Sequence, residues 1–323
     1  MNNLTVVKFS ALRDFLAVVE RGSVHAAARH QGGAQPTVSR NIRELERRLG
    51  VVLFERSAKG AQLTPLGKVF YSRARAAQGE LLRAEEELAQ LRGETHGNVT
   101  MALSTVAQFA LLPDAIGPFR RKYPDVRLNI MDALFPRIDS DLRSGSIDCY
   151  IGPAPEDIGS EFRTETLFEN TRVVVGRKGH PLSKAKSLRD LVDAEWASTT
   201  LTHRADAELA PLFEQYGLPT PRPVMQMHSA LTTLVLIAKT DLLVLLPIQW
   251  VESQLWTDAV QTIPVKELLP APPIRIVRRS ALPLTPAAEY FCDMMRRVAV
   301  NKYAAPATPA LGGAKKSRLA RMR

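Results

Sequence analysis

Apolar residues near the start of the chain recur at helical spacing. Phe9, Leu12, Phe15, Leu16 and Val19 predict an amphipathic helix over about residues 8–20. Gly22 ends it, and Ser23 caps a short second helix, Val24–His30, packed by Ala26, Ala27 and Ala28. Gly32-Gly33 reads as a turn, and a third helix from about Ala34 sets Val38, Ile42, Leu45 and Leu49 toward the core. Leu53-Phe54, a Ser57–Gly60 turn and Gln62-Leu63 then read as strand, turn, strand. Thr64 caps a long helix that Pro65 opens and that runs to about Arg92. Along it Ala74, Ala77, Leu81, Ala84, Leu88 and Leu91 alternate at three- and four-residue spacing, the seam of a short coiled coil. The stripe is narrow and its flanks are charged (Arg83, Glu85, Glu86, Glu87), which favours pairing with a second copy over packing on the helix's own body.

From Gly97 strand-like and helix-like segments alternate. Val99–Leu103, Val126–Met131 and Ile147–Ile151 read as strands, separated by helices over Leu111–Lys122 and Pro136–Ser144. A second set has strands near Thr171–Val175, Trp196–Thr200, Pro223–Met227 and Leu242–Leu246, with helices near Ala205–Tyr216 and Ala230–Lys239. A return strand is expected at Pro272–Val277, and a last helix from Thr285. Strands separated by helices imply βαβ units and a largely parallel sheet, here in two α/β lobes joined by two crossings. Such lobes place ligands in a cleft at strand C-termini.

Composition narrows the class. With 323 residues, 45% hydrophobic and 24% charged, the chain has the balance of a globular protein of about two domains. Cys149 and Cys292 are too few for a disulfide framework, and no cysteine–histidine cluster suggests a metal. No cofactor motif is present: phosphate-binding loops, the nucleophile-elbow pattern and the zinc-hydrolase helix motif are all absent, so an enzyme is not expected. Nothing resembles a signal peptide or a membrane span, and a reducing, cytoplasmic setting is expected. The net charge of +10 is unevenly spread. Residues 1–95 carry 15 basic and 10 acidic side chains, residues 96–295 carry 20 and 23, and residues 296–323 carry 8 and none. Residues 304–323, rich in Ala, Pro and Gly, read as a basic disordered tail.

The candidate chemistry follows from this layout. A tight turn before a helix whose exposed start carries Gln35, Thr37, Ser39, Arg40 and Arg43 is a helix-turn-helix pattern, with those side chains presented to base edges and phosphates of double-stranded DNA. The hairpin that follows would be a wing whose Arg56 and Lys59 reach phosphates. In the body, Ser104 and Thr105 end the first strand, while Thr200, Thr202 and His203 end a strand of the second lobe and would face them. Phe135, Pro153 and Ala154 would form walls. These hydroxyls and the nearby backbone N–H groups suit a small organic acid or a similarly oxygen-rich effector. Cys149 reads as a buried strand residue, and Arg278-Arg279 as a solvated pair.

The head carries Gly22-Ser23, Ala26-Ala27-Ala28, Gln35-Pro36-Thr37-Val38-Ser39, Ile42-Arg43-Glu44-Leu45-Glu46, Leu49-Gly50, Leu53-Phe54-Glu55-Arg56 and Leu63-Thr64-Pro65-Leu66-Gly67. In this order and spacing the chain resembles the LysR-type transcriptional regulators. FRRKYPDVRLNI, LRSGSIDCYIG and RVVVGRKGHPL resemble body motifs, so the likeness spans about residues 8–300. The resemblance implies a winged helix-turn-helix with Pro36 among its DNA-contacting residues, a linker helix, and a two-lobed effector domain of periplasmic-binding-protein-like fold. It also implies a homotetramer built as a dimer of dimers on promoter DNA. The expected boundaries are 1–64 for the DNA-binding domain, 65–94 for the linker helix and 95–303 for the effector domain. Within the last, lobe I takes about 95–168 and 270–303, and lobe II about 169–269. The family usually has apolar residues at positions 31 and 33 and a serine at 34, where this chain has Gln31, Gly33 and Ala34. An alternative reading is therefore a small-molecule sensor with weakened or altered DNA binding.

Overall fold

The computed structural model describes residues 7–57, 60–135, 137–155, 157–199, 207–253, 255–256 and 258–303. The chain divides into two compact units, one comprising Met1–Gln108, Gly117–Glu165 and Arg275–Cys292, the other Phe109–Ile116, Thr166–Ile274 and Asp293–Arg323.

Three helices open the first unit: α1 (Phe9–Arg21), α2 (Val24–His30) and α3 (Gln35–Leu49). Gly22 ends α1 in the left-handed region (φ 73°), and the Ser23 hydroxyl accepts from Ala26 N at 3.1 Å to start α2. Phe15, Leu16, Val18, Ala27, Val38, Ile42, Leu45 and Leu53 close a core between them. Ala27 and Ala28 keep α2 thin where it crosses its neighbours. Asn41 of α3 donates to the buried Asp14 carboxylate of α1 at 2.6 Å. Strands β1 (Phe54–Ser57) and β2 (Gly60–Leu63) form an antiparallel hairpin with Phe54 opposite Leu63. Its end is pinned to the first turn, where Ala61 N donates to Gly22 O at 3.0 Å. A Cβ at Gly60 (φ 108°) would collide with that same carbonyl oxygen. Thr64 caps α4 (Pro65–Leu91), accepting from Gly67 N at 2.8 Å.

The rest of the unit is built on three parallel strands. β3 (Gly97–Leu103) lies between β4 (Val126–Asp132) and β5 (Cys149–Pro153). The helix expected over Leu111–Lys122 is α6 (Leu112–Lys122), and the buried Leu111 separates it from α5 (Thr105–Ala110), a short helix that no sequence period marks. α7 (Asp139–Ser144) begins later than expected.

Strand β6 (Phe162–Arg177) carries the chain into the second unit and β11 (Pro270–Arg279) carries it back. The expected parallel sheet does not extend to this unit. β9 (Val244–Pro247) and β10 (Val260–Ile263) both pair antiparallel with β6, because the chain enters along β6 and both later strands run the other way. Parallel pairing survives in the two-residue strands β7 (Ala197–Ser198) and β8 (Met225–Gln226) and in a Trp196–Leu243 bridge. Helices α8 (Ala210–Gln215), α9 (Ala230–Ile237) and α10 (Ile248–Glu252) complete it, and α11 (Pro286–Tyr303) closes the described chain. Trp196 centres the core, its indole donating to Leu191 O at 2.9 Å and its ring edge-on to Phe213. His180, of the GRKGHPL stretch, is buried: Nδ1 accepts from Leu182 N and Nε2 faces Asp241 O, each at 3.0 Å. A neutral imidazole with the proton on Nε2 satisfies both partners.

Candidate DNA-binding and effector sites

The turn between α2 and α3 is closed entirely by backbone. Gly33 N donates to Ala28 O at 2.9 Å and Gly32 N to Arg29 O at 3.2 Å, with Gly32 at φ 64°. That is the Schellman arrangement, which usually adds an apolar side chain at position 33 packed back on position 28. Gly33 supplies none, and Ala34 starts α3 with no side-chain cap. The turn therefore keeps its geometry and forgoes two stabilising contacts.

Beyond it, Gln35, Pro36, Thr37, Arg40 and Arg43 are exposed along one face of α3, opposite the buried Val38, Ile42 and Leu45. Ser39, half-buried, accepts from the Arg43 guanidinium at 3.0 Å, and His25 Nδ1 meets Gln35 Oε1 at 3.3 Å. Glu46 on the other side of α3 accepts from Leu53 N (2.7 Å) and Phe54 N (3.2 Å), fixing where β1 leaves the helix. Arg56 lies in β1 opposite Ala61, but its side chain, like the whole of Lys59, lies outside the described residues.

In the effector half, β3, β4 and β5 bring Ser104, Thr105, Phe135, Pro153 and Ala154 to the same C-terminal edge. Ser104 is buried; its N–H extends the β3–β5 ladder to Ile151 O, and its hydroxyl accepts from Ala107 N at 3.3 Å. Thr105 is half-buried at the start of α5. Phe135 packs against the rings of Tyr150 and Phe162. The Tyr150 hydroxyl donates to Pro153 O at 3.0 Å, and Ala154 O accepts from Arg275 at 3.0 Å. Three residues of this edge, Tyr150, Gly152 and Gln108, were not foreseen from sequence. Tyr150 is one: burial pushes its phenol well above its usual range, so it remains a donor. Gly152 is another, because a Cβ there would run into the Tyr150 hydroxyl and Ser104. Gln108 is the third, reaching Leu103 O at 3.2 Å and Asp132 at 2.9 Å. Its place four residues after Ser104 was the available signal.

Thr200, Thr202 and His203 lie outside the described residues. At the edge of that segment the largely covered Glu208 carboxylate accepts from Thr199 N at 3.1 Å, with Arg172 at 3.8 Å. Burial raises its pKa, opposed by Arg172 and the Thr199 and Ser198 donors.

Helix α4 joins head to lobe within the first unit. Arg279, expected to be solvated, is largely covered and pairs with Glu80 of α4 at 2.6 Å, while Arg278 pairs with Glu289 at 3.0 Å. Gln90 accepts from Ala287 N at 2.9 Å, and Glu86 accepts from Asn98 N and its side-chain amide. Ala77, Leu81, Ala84, Leu88 and Leu91 of the seam are at least partly exposed, whereas Ala74 is buried in the head's core and does not belong to it.

Residues 9–68 match the sequence model of the bacterial regulatory helix-turn-helix proteins of the lysR family, and residues 92–300 match that of the LysR substrate binding domain. The chain belongs to the LysR family. It is a DNA-binding transcriptional regulator with an effector-binding domain, and the related proteins are named as regulators and not as enzymes. The regulator GalR of Pseudomonas putida is 28% identical over 289 residues, covering 89% of this chain and 73% of that one. GbpR of Azospirillum brasilense is 26% identical over 300 residues, covering 92% and 88%. Two full-length LysR-fold structures, a single-residue variant of OxyR from Pseudomonas aeruginosa and CbnR in complex with its target DNA, superpose with TM-scores of 0.66 and 0.65. Each is 22% identical and covers 90% of this chain, and 98% and 99% of its own. The fold is thus the LysR one: a helical DNA-binding head followed by a two-lobed substrate-binding domain. The reading as a sensor with weakened DNA binding is not favoured by these matches. Among the described residues, no helix is long and apolar enough to cross a membrane.

Proposed function

We propose that this LysR regulator reads promoter DNA through Gln35, Pro36, Thr37, Ser39, Arg40 and Arg43, with Arg56 and Lys59 on phosphates. It acts in the cytoplasm as a dimer of dimers paired along α4. The effector is a small organic acid or similarly oxygen-rich molecule held by Ser104, Thr105, Phe135, Pro153, Ala154, Thr200, Thr202 and His203. Residues 1–64, 65–94 and 95–303 are the DNA-binding, linker and effector domains. The observation that carries this reading is the exposed polar and basic row on α3, with the apolar row fixed directly behind it. Support for pairing comes from Leu81, Leu88 and Leu91, which stand exposed on one long helix.

Footprinting on the DNA flanking the protein's own reading frame tests it. The expected result is protection of an interrupted palindrome, lost in Arg40→Ala and Arg43→Ala. Protection that is unchanged in both variants would overturn the assignment. Thermal-shift screening with organic acids tests the effector half, where Thr105→Val is expected to abolish the response of any hit.

A further inference from the structure

Cys149 opens β5 and Cys292 lies within α11, 143 positions apart, yet their Sγ atoms stand 3.5 Å from each other. Both side chains are shut off from solvent, both belong to the first unit, and no disulfide joins them. Neither residue takes part in the DNA face or the effector edge.

We propose that Cys149 and Cys292 form a redox-responsive dithiol that a peroxide closes to an intramolecular disulfide. One sulfur, as thiolate, attacks the peroxide O–O bond, giving a sulfenic acid and releasing hydroxide, which leaves as water with the thiol's proton. The second sulfur then attacks the sulfenic sulfur and its hydroxyl leaves as a second water. The two thiols lose two electrons and the peroxide gains them. From 3.5 Å the sulfurs have to approach by about 1.5 Å to reach a disulfide bond length. The product carries no charge, which suits a site whose cross-strand neighbour on β3 is the buried Met101.

The resting protein holds this reaction back. Burial, the contact with Cys292 and the negative Asp148 and Glu289 keep the Cys149 thiol far above its usual range. Its thiolate is scarce until β5 and α11 part locally, so the pair answers sustained peroxide and ignores traces. Once formed, the bond staples the strand that ends in Gly152-Pro153 to α11. It also closes a loop containing the whole Thr166–Ile274 stretch of the second unit.

The test uses the full-length protein, titrated with hydrogen peroxide, quenched, denatured and labelled with a maleimide-polyethylene glycol, alongside peptide mapping. Both thiols are expected to disappear together, giving one linked Cys149–Cys292 peptide that dithiothreitol releases. The reaction is expected to quicken in sub-denaturing urea, and the oxidised protein to melt several degrees higher. C149S and C292S are expected to keep one titratable thiol and form no intramolecular link. If either fails to fold, the wild-type reduced–oxidised melting comparison still decides. Two free thiols after a dose that fully oxidises an exposed reference thiol, with and without urea, would overturn the proposal. So would oxidation to sulfinic acid without a link, or links only between chains.

Discussion

Arg83, midway along α4, donates from Nε to the Asp148 carboxylate at 2.8 Å, and Asp148 in turn accepts from Thr100 N at 2.8 Å. The linker helix is thus tied to the junction of β3 and β5 through one charged side chain. Both partners are largely covered, at 17% and 9% side-chain exposure, so the pair keeps most of its strength in salt. Arg83→Ala leaves Asp148 short of a donor and is expected to cost about 1–3 kcal/mol in urea unfolding. In an Arg83→Ala/Asp148→Asn cycle the two losses should fall short of additivity by about 1 kcal/mol. Simple additivity would mean that the helix is not held by this contact.

Glycine replacements in α4 should have opposite signs. A Cβ at Gly67 would run into the Leu53 carbonyl oxygen, whereas one at Gly79 meets only the end of Arg83 at 3.5 Å. Gly67→Ala is expected to destabilise the head by about 1–3 kcal/mol through forced backbone movement. Gly79→Ala should gain about 0.5–1 kcal/mol from helix propensity. Thermal melts of the two variants side by side check this.

The α2–α3 turn offers a gain. Thr37 N already approaches Ala34 O at 3.0 Å, and no side chain caps this end of α3. Ala34→Ser is expected to add about 1 kcal/mol. A Cβ at Gly33 meets nothing within 4 Å, so Gly33→Leu has room to lie back on position 28. The double variant should melt higher and bind its operator more tightly in a gel shift.

The head was legible almost to the residue because its punctuation is local. Gly22, Ser23, Thr64 and Pro65 each act within one turn of the boundary they set. The body was legible only where apolar runs were dense. β6 was foreseen over Thr171–Val175 alone, since Arg163, Glu165 and Glu169 stand exposed in its first half and leave no alternation. α10 and β10, five and four residues long, are too short to show a period. Side chains whose partners lie far along the chain could not be read at all. Arg279 looked solvated until the fold placed Glu80 beside it, and Glu208 had no meaning without Arg172. At the C-terminal edge of β3, β4 and β5 the strand ends gave Ser104, Thr105, Phe135, Pro153 and Ala154 as candidates, but not Tyr150, which a strand pattern marks only as core.

Glu208 predicts a pH effect. Its folded-state pKa is raised by burial above an ordinary value of 4.5, with Arg172, Thr199 and Ser198 facing it. Its contribution to stability is therefore full below about pH 4.5 and declines as pH rises through the raised value. Glu208→Gln should remove that part of the slope, flattening melting temperature against pH across this window. An unaltered profile would show that Glu208 keeps an ordinary pKa.

Helix α4 is unbroken for 27 residues, rooted at one end beside Leu53 and held at the other by Ala287 and Asn98. At 1.5 Å per residue it is a rod of about 40 Å. A rod converts angle into displacement: a tilt of about 10° at the lobe end would sweep the head through about 7 Å. That is about two base-pair steps of DNA. Any change that tilts α4 by that angle would therefore carry α3 from one base pair to another.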